Sequence, residues 1–166
     1  MADSLNALIR LLISATYIKD LDLADPKDVL ALNFEQAFAP GTGSGLADLM
    51  FRDTRQLADG ASENLDLSGS LSSAFGASLL FAKVKVLIIK NLSAAQILSV
   101  GGAASLGFVS WVGDPTDIVK VGAGGFLCLV NPAGYAVTAG TADLLKILNS
   151  AGAVCDYDII IIGSSA

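Results

Sequence analysis

The stretch Phe81-Ala82-Lys83-Val84-Lys85-Val86-Leu87-Ile88-Ile89-Lys90-Asn91 decides the fold. It opens in strict alternation, with Lys83 and Lys85 on one side and Ala82, Val84 and Val86 on the other. A period of two marks a half-buried strand. The run from Val86 to Ile89 then has no polar residue, as in a strand covered on both faces, and Asn91 closes it. Downstream, similar short runs recur: Ile97 to Val100, Phe108 to Val112, Ile118 to Val121, Phe126 to Val130, Tyr135 to Thr138 and Tyr157 to Ile162. Gly101-Gly102, Gly113-Asp114-Pro115, Gly124-Gly125 and Asn131-Pro132 punctuate them. Asp143 to Leu148 fits either a strand or a helical turn. Short strands with turn signals every 8–12 residues or so are the pattern of an all-β sandwich or barrel. No amphipathic helix of roughly 10–15 residues intervenes, which disfavours an α/β fold. The expected fold is all-β: an antiparallel β-sandwich, jelly-roll-like, with an extended N-terminal arm.

Upstream the pattern is less clear. Leu5, Leu8, Ile9 and Leu12 have helical spacing, whereas Ser14 to Ile18 favours a strand. Asp25-Pro26 predicts a turn. Val29 to Phe38 predicts a strand, because Leu30, Leu32 and Phe34 alternate with Ala31, Asn33 and Glu35. We expect a single domain with an acidic arm or strand region at 1–45 and a β-sandwich core at 46–166.

Charge divides the 166-residue chain in the same sense. Residues 1–66 hold eleven acids and five bases, and the remainder holds five of each, so the net charge of -6 resides in the first part. Overall the chain is 53% hydrophobic and only 16% charged, against roughly 25% charged in an average domain. That profile excludes disorder. The deficit of Lys and Arg argues against nucleic acid as a partner. No apolar run approaches the 18 or so residues of a spanning helix, and Arg10 interrupts the only apolar stretch near the start. No membrane association and no classical export signal are therefore expected.

The chemical inventory is thin. The chain has no histidine, which removes imidazole acid–base catalysis, Ser-His-Asp triads and histidine metal sites. Cys128, within Phe126 to Val130, reads as a small buried hydrophobe, and Cys155 sits near a strand start. Gly41-Thr42-Gly43-Ser44-Gly45 lacks the Lys-Ser/Thr of a P-loop and reads as an exposed turn. Asp20, Asp22, Asp25 and Asp28 do not have EF-hand spacing and read as a solvated acidic face. Arg52-Asp53-Thr54-Arg55 is the densest mixed-charge group and suits an internal clasp or a subunit contact. Trp111, near Phe108, suits core or interface packing. Arg52, Asp53, Arg55, Phe108 and Trp111 are thus the candidate interface residues. No catalytic, cofactor-binding or metal-binding residue is expected, and the chain is not expected to be an enzyme.

Several strings resemble a family of small virion structural proteins of tailed bacteriophages and prophages. They are Arg52-Asp53-Thr54-Arg55-Gln56-Leu57-Ala58, Asn64-Leu65-Asp66-Leu67-Ser68-Gly69-Ser70-Leu71, Trp111-Val112-Gly113-Asp114, Tyr135-Ala136-Val137-Thr138-Ala139-Gly140-Thr141 and Asp158-Ile159-Ile160-Ile161-Ile162-Gly163. With shorter strings between them, they cover about two-thirds of the chain from Phe51 onward. The resemblance implies a capsid decoration or cement protein, assembled in the host cytoplasm onto the capsid surface. The expected partners are further copies of itself, as a homotrimer, and the major capsid protein. Alternatives are a head–tail connector or tail component, and a receptor- or glycan-binding module for which Trp111 and Tyr135 are the nearest aromatic candidates.

Overall fold

A computed structural model of the chain describes residues 4–166 and contains strands but no helix among them. In chain order the first strands are β1 (Ala7–Ile18), β2 (Lys27–Pro40), β3 (Leu46–Ala47), β4 (Leu49–Leu57) and β5 (Ser62–Asp66). The short β6 (Leu71–Ser72) and β7 (Ser78–Leu79) precede β8 (Lys83–Asn91) and β9 (Leu98–Gly101). The chain ends with β10 (Ile118–Val121), β11 (Phe126–Ala136), β12 (Leu144–Asn149) and β13 (Cys155–Ser164).

Two four-stranded antiparallel sheets face each other, in the orders β11-β8-β13-β4 and β10-β9-β12-β5. Each strand of one sheet is joined along the chain to one of the other: β4 to β5, β8 to β9, β10 to β11 and β12 to β13. Between them lies one apolar core. The first sheet contributes Phe51, Leu87, Ile89, Tyr157, Ile159 and Ile161, and the second Leu65, Leu98, Val100, Val121, Leu145 and Ile147. The alternation of β12, with Leu145, Ile147 and Asn149 buried and Leu144, Lys146 and Leu148 less so, settles the stretch after Asp143 as a strand, Leu144–Asn149.

Buried amides close the ends of this core. Asn91 Nδ2 donates to the carbonyls of Gln96 (2.8 Å) and Val121 (3.1 Å). Asn149 Nδ2 donates to the carbonyls of Leu57, Ala58 and Ala153. Each amide ties a strand end to backbone that would otherwise lose its partners on burial.

Three sequence expectations need correction. The residues with helical spacing, Leu5 to Ile13, run into a strand, because β1 pairs without interruption with β2 from Ala7↔Phe38 to Ile18↔Lys27. Phe108 to Val112 is a turn and not a strand. There the Val112 N–H donates to the Val109 carbonyl, and Asp114 and Asp117 cap the following backbone N–H groups, so local bonds replace a ladder. Val86 does not share a face with Val84. The β8–β13 register slips between Ile162 and Gly163 and leaves Lys85 as an extra residue, so Val84 packs in the core and Val86 in the cluster on the outer side of the sheet. Lys83 and Lys85 stay on one side, beside Gly134, but Lys85 is fully buried there and does not face solvent.

Candidate assembly surface

The β1–β2 hairpin has two faces, read directly from its register. One carries Ile9, Leu11, Ile13, Ala15 and Tyr17 of β1, opposite Gln36, Phe34, Leu32, Leu30 and Asp28 of β2. The other carries Leu8, Arg10, Leu12, Ser14, Thr16 and Ile18 opposite Ala37, Glu35, Asn33, Ala31, Val29 and Lys27. The first is almost wholly apolar. The second is mixed, and the Arg10 guanidinium meets Glu35 there at 2.8 Å.

Only the base of this hairpin is covered. Leu5, Ala7, Ile9 and Phe38 pack on the outer side of the first sheet, against Val86, Ile88, Ile160 and Ile162, with Ala47 of β3. From Arg10 to Glu35 every residue is exposed. Among the large apolar side chains, Leu12 and Tyr17 are 71% exposed and Phe34 is 56% exposed. At twelve residues and about 3.4 Å each, β1 is roughly 40 Å long, so most of the hairpin stands in solvent. Where it leaves the sheet, Ile9, Leu11 and Phe34 face Phe126, Cys128 and Val130 of β11 across a groove of about 520 Å³.

The loop at the hairpin base is anchored from beneath. Lys85 Nζ donates to the carbonyls of Thr42 (3.0 Å), Gly43 and Leu46. Burial, and secondarily the nearby Lys83 charge, pull its pKa below the usual lysine value. The Gly41–Gly45 turn is therefore a cap over a buried ammonium. Its carbonyls point at the cation, opposite to the N–H groups with which a phosphate loop would face an anion.

The five candidate interface residues fall into two separate groups. Arg55 is an internal clasp: its Nε donates to Glu63 on β5 at 2.8 Å and its Nη1 to Asp53 at 3.0 Å. Tyr157 donates its hydroxyl to the other Glu63 oxygen at 2.5 Å. The Glu63 bond is the main cause of the raised Arg55 pKa, and burial is the main cause of the raised Tyr157 pKa. Arg52 lies on the opposite face of β4, exposed and in no ion pair among the described residues. Phe108 is buried in the core and unavailable to a partner. Trp111 packs beside that core and donates its indole N–H to the Phe108 carbonyl at 2.9 Å. Tyr135 also packs against the core, so both aromatics are partly buried, Trp111 in a turn and Tyr135 in β11.

The remaining chemistry-bearing residues are scattered. Cys155 is in the core and Cys128 is half-buried on the opposite side of the same sheet, so the two thiols are free and cannot meet. Asp20, Asp22 and Asp25 lie in the hairpin turn, where Asp25 Oδ1 accepts the Leu21 N–H at 3.4 Å. No group of three or more Cys, Asp or Glu side chains converges as a metal site among the described residues. Among the described residues no helix is long and apolar enough to cross a membrane.

The composition located the acidic excess of 1–66, and the Leu30-Leu32-Phe34 alternation marked one apolar face. What it missed was that, beyond the base of the hairpin, nothing among the described residues covers that face. The one available signal was the parallel alternation Ile9-Leu11-Ile13, which adds a second apolar row of the same length. Comparison with protein-family models, curated protein sequences and solved structures returns no match.

Proposed function

We propose that the protein is a structural component of a tailed-phage virion, a head decoration or cement protein that binds the shell of the major capsid protein from outside. The observation that carries this reading is the solvent-standing apolar hairpin. Monomeric proteins rarely expose a contiguous apolar patch of more than a few hundred Å² unless it is an interaction site. The reading also draws on the sequence resemblance and on the strand order, which we interpret as a jelly roll. That architecture is shared by viral capsid and lectin domains, and the link is one of fold analogy. A protein of this kind works by burying surface, so the scattered titratable groups need no catalytic role.

Quantitative mass spectrometry of virions released by the phage or prophage that encodes the chain tests the proposal. Hundreds of copies per particle, removable without loss of the tail, support head decoration. Absence from the particle overturns it. A handful of copies favours the second reading, a head–tail connector or tail component. The roughly 40 Å reach of the hairpin favours that second reading too, because such an element can bridge successive rings of subunits.

A further inference from the structure

We infer that the β1–β2 hairpins of three or four copies of this chain join edge to edge into a closed antiparallel barrel, with Leu11, Ile13, Leu30, Leu32 and Phe34 inside. The inference rests on the assembly reading above and names its partner, a second copy of the same chain.

Three features of the hairpin lead there. The first is its edges. β1 pairs only with β2, and β2 meets β3 only at Ala39 and Pro40, so both outer edges are free along nearly their whole length. The register has no bulge, and Pro26 and Pro40 lie outside the paired span or at its end. Natural edge strands are shielded by bulges, proline or inward charge, and here those devices are missing. Arg10 and Glu35, which could serve, neutralise each other.

The second feature is area. Taking about 150–250 Å² for a fully exposed large side chain, the apolar face presents on the order of 500 Å², and the barrel removes that face from water. The mixed face stays outside, so the apolar area alone falls short of the ~800 Å² that one partner contributes to a stable interface, and the ladder hydrogen bonds along the two free edges add to it. A two-stranded hairpin alone is marginal in water, so one this long needs a covering layer.

The third is symmetry. The β1 edge differs from the β2 edge, so joining β2 of one copy to β1 of the next is head-to-tail and closes as a ring. With all turns pointing the same way, every contact in that ring is antiparallel. A two-fold dimer would leave two edges open. The number of copies follows from the face that turns inward. An eight-stranded barrel is just filled by side chains, and larger ones enclose water. A row of Leu, Ile and Phe suits six or eight strands. The turns, with Asp20, Asp22 and Asp25, then stay in solvent at the end of the barrel. A lipid bilayer is the poorer occupant, because those carboxylates would have to enter it.

Native mass spectrometry and sedimentation of the full chain test this. The expected species is three or four times the 16.9 kDa chain mass. A monomer, a dimer or a larger ring overturns it. L32D/F34D is expected to fall to monomer with unchanged Trp111 fluorescence, since both side chains lie outside the sandwich core. Hydrogen exchange on the wild-type chain gives a test that needs no variant. Protection is expected at successive amides of 11–17 and 29–35, whereas protection at alternate amides only, as in a free hairpin, overturns the barrel. Binding to virion heads separates the two ideas. A three- or four-copy ring that ignores heads leaves the barrel standing and removes the decoration role. A monomer that binds heads does the reverse and makes the capsid protein the hairpin's partner. A monomer that permeabilises phosphatidylcholine–phosphatidylglycerol vesicles also overturns the barrel.

Discussion

Lys85 Nζ lies 3.0 Å from the carbonyl oxygen of Thr42 and donates to it from inside the protein. The same ammonium bonds the carbonyls of Gly43 and Leu46, so one buried cation holds the turn from which β2 departs toward β3. Lys85→Met keeps most of the stem volume and removes all three donors. We expect a loss of about 1–3 kcal/mol in urea unfolding, set by carbonyls left without their donor. Amide exchange at Gly41 to Ala47 is expected to accelerate more than exchange in β12. Unchanged exchange at the turn would show that the clamp does not position the hairpin.

Arg55, Glu63 and Tyr157 join the two sheets at the β4–β5 edge, and their removal should be graded. Tyr157→Phe deletes one hydrogen bond to a carboxylate and is expected to cost about 1 kcal/mol. Arg55→Met strips the cation from a mostly buried Glu63 and is expected to cost about 2 kcal/mol. Adding Glu63→Gln to Arg55→Met should cost less than the two single changes together, because the orphaned charge is gone. Strict additivity in denaturant melts would rule out the coupling.

Gly163 has no room for a side chain. A Cβ built there would sit 2.0 Å from the Lys83 carbonyl oxygen and 2.8 Å from Phe81 Cδ1. The backbone contact is the decisive one, because a carbonyl fixed in the β8–β13 ladder cannot swing aside. Gly163→Ala is expected to destabilise by several kcal/mol, on the order of 3 or more, and to lower soluble yield. Gly60→Ala, which meets no atom within 4 Å, is the comparison. It should cost only the strain of its positive φ of 63°. Equal melting temperatures for the two variants would contradict this account.

The same crowding at Gly163 marks how far sequence could be read. β8 and β13 were legible because Val86 to Ile89 and Ile159 to Ile162 are β-branched or apolar throughout, and only a doubly covered strand suits them. The opposite facing of Val84 and Val86 was not, because a single slip at Lys85 moves the following residues to the other side of the strand, and nothing local announces it. The Leu5-Leu8-Ile9-Leu12 spacing fitted a helix by coincidence. Pairing with β2 places Ile9 on one face and Leu8 and Leu12 on the other, and that pairing spans an eight-residue turn. The Arg55 clasp could be guessed at but not resolved. Its partner Glu63 lies eight residues on, across the step between sheets, and Tyr157 approaches from the far end of the chain. The apolar face of β2 was visible as alternation, whereas its lack of cover depends on what the rest of the chain does.

Asp143 ties the acid limit of stability to the β12 start. Its Oδ2 accepts the Ser68 hydroxyl at 2.6 Å and the Gly140 N–H at 2.5 Å, while Oδ1 has no partner among the described residues. The Ser68 bond, then the backbone N–H groups, hold its pKa below the usual 3.8 despite the opposing effect of burial. A carboxyl depressed on folding binds its proton more readily in the unfolded chain. Its contribution is therefore complete above about pH 4 to 5 and is lost as pH falls through the folded-state value. Asp143→Asn removes that dependence. We expect the variant to be less stable at pH 7 by about 1 kcal/mol and to approach the wild type as both are acidified. Urea unfolding at a series of pH values, followed by Trp111 fluorescence, provides the measurement. A gap between the two proteins that stays constant or widens below pH 4 would place the acid sensitivity on another carboxylate.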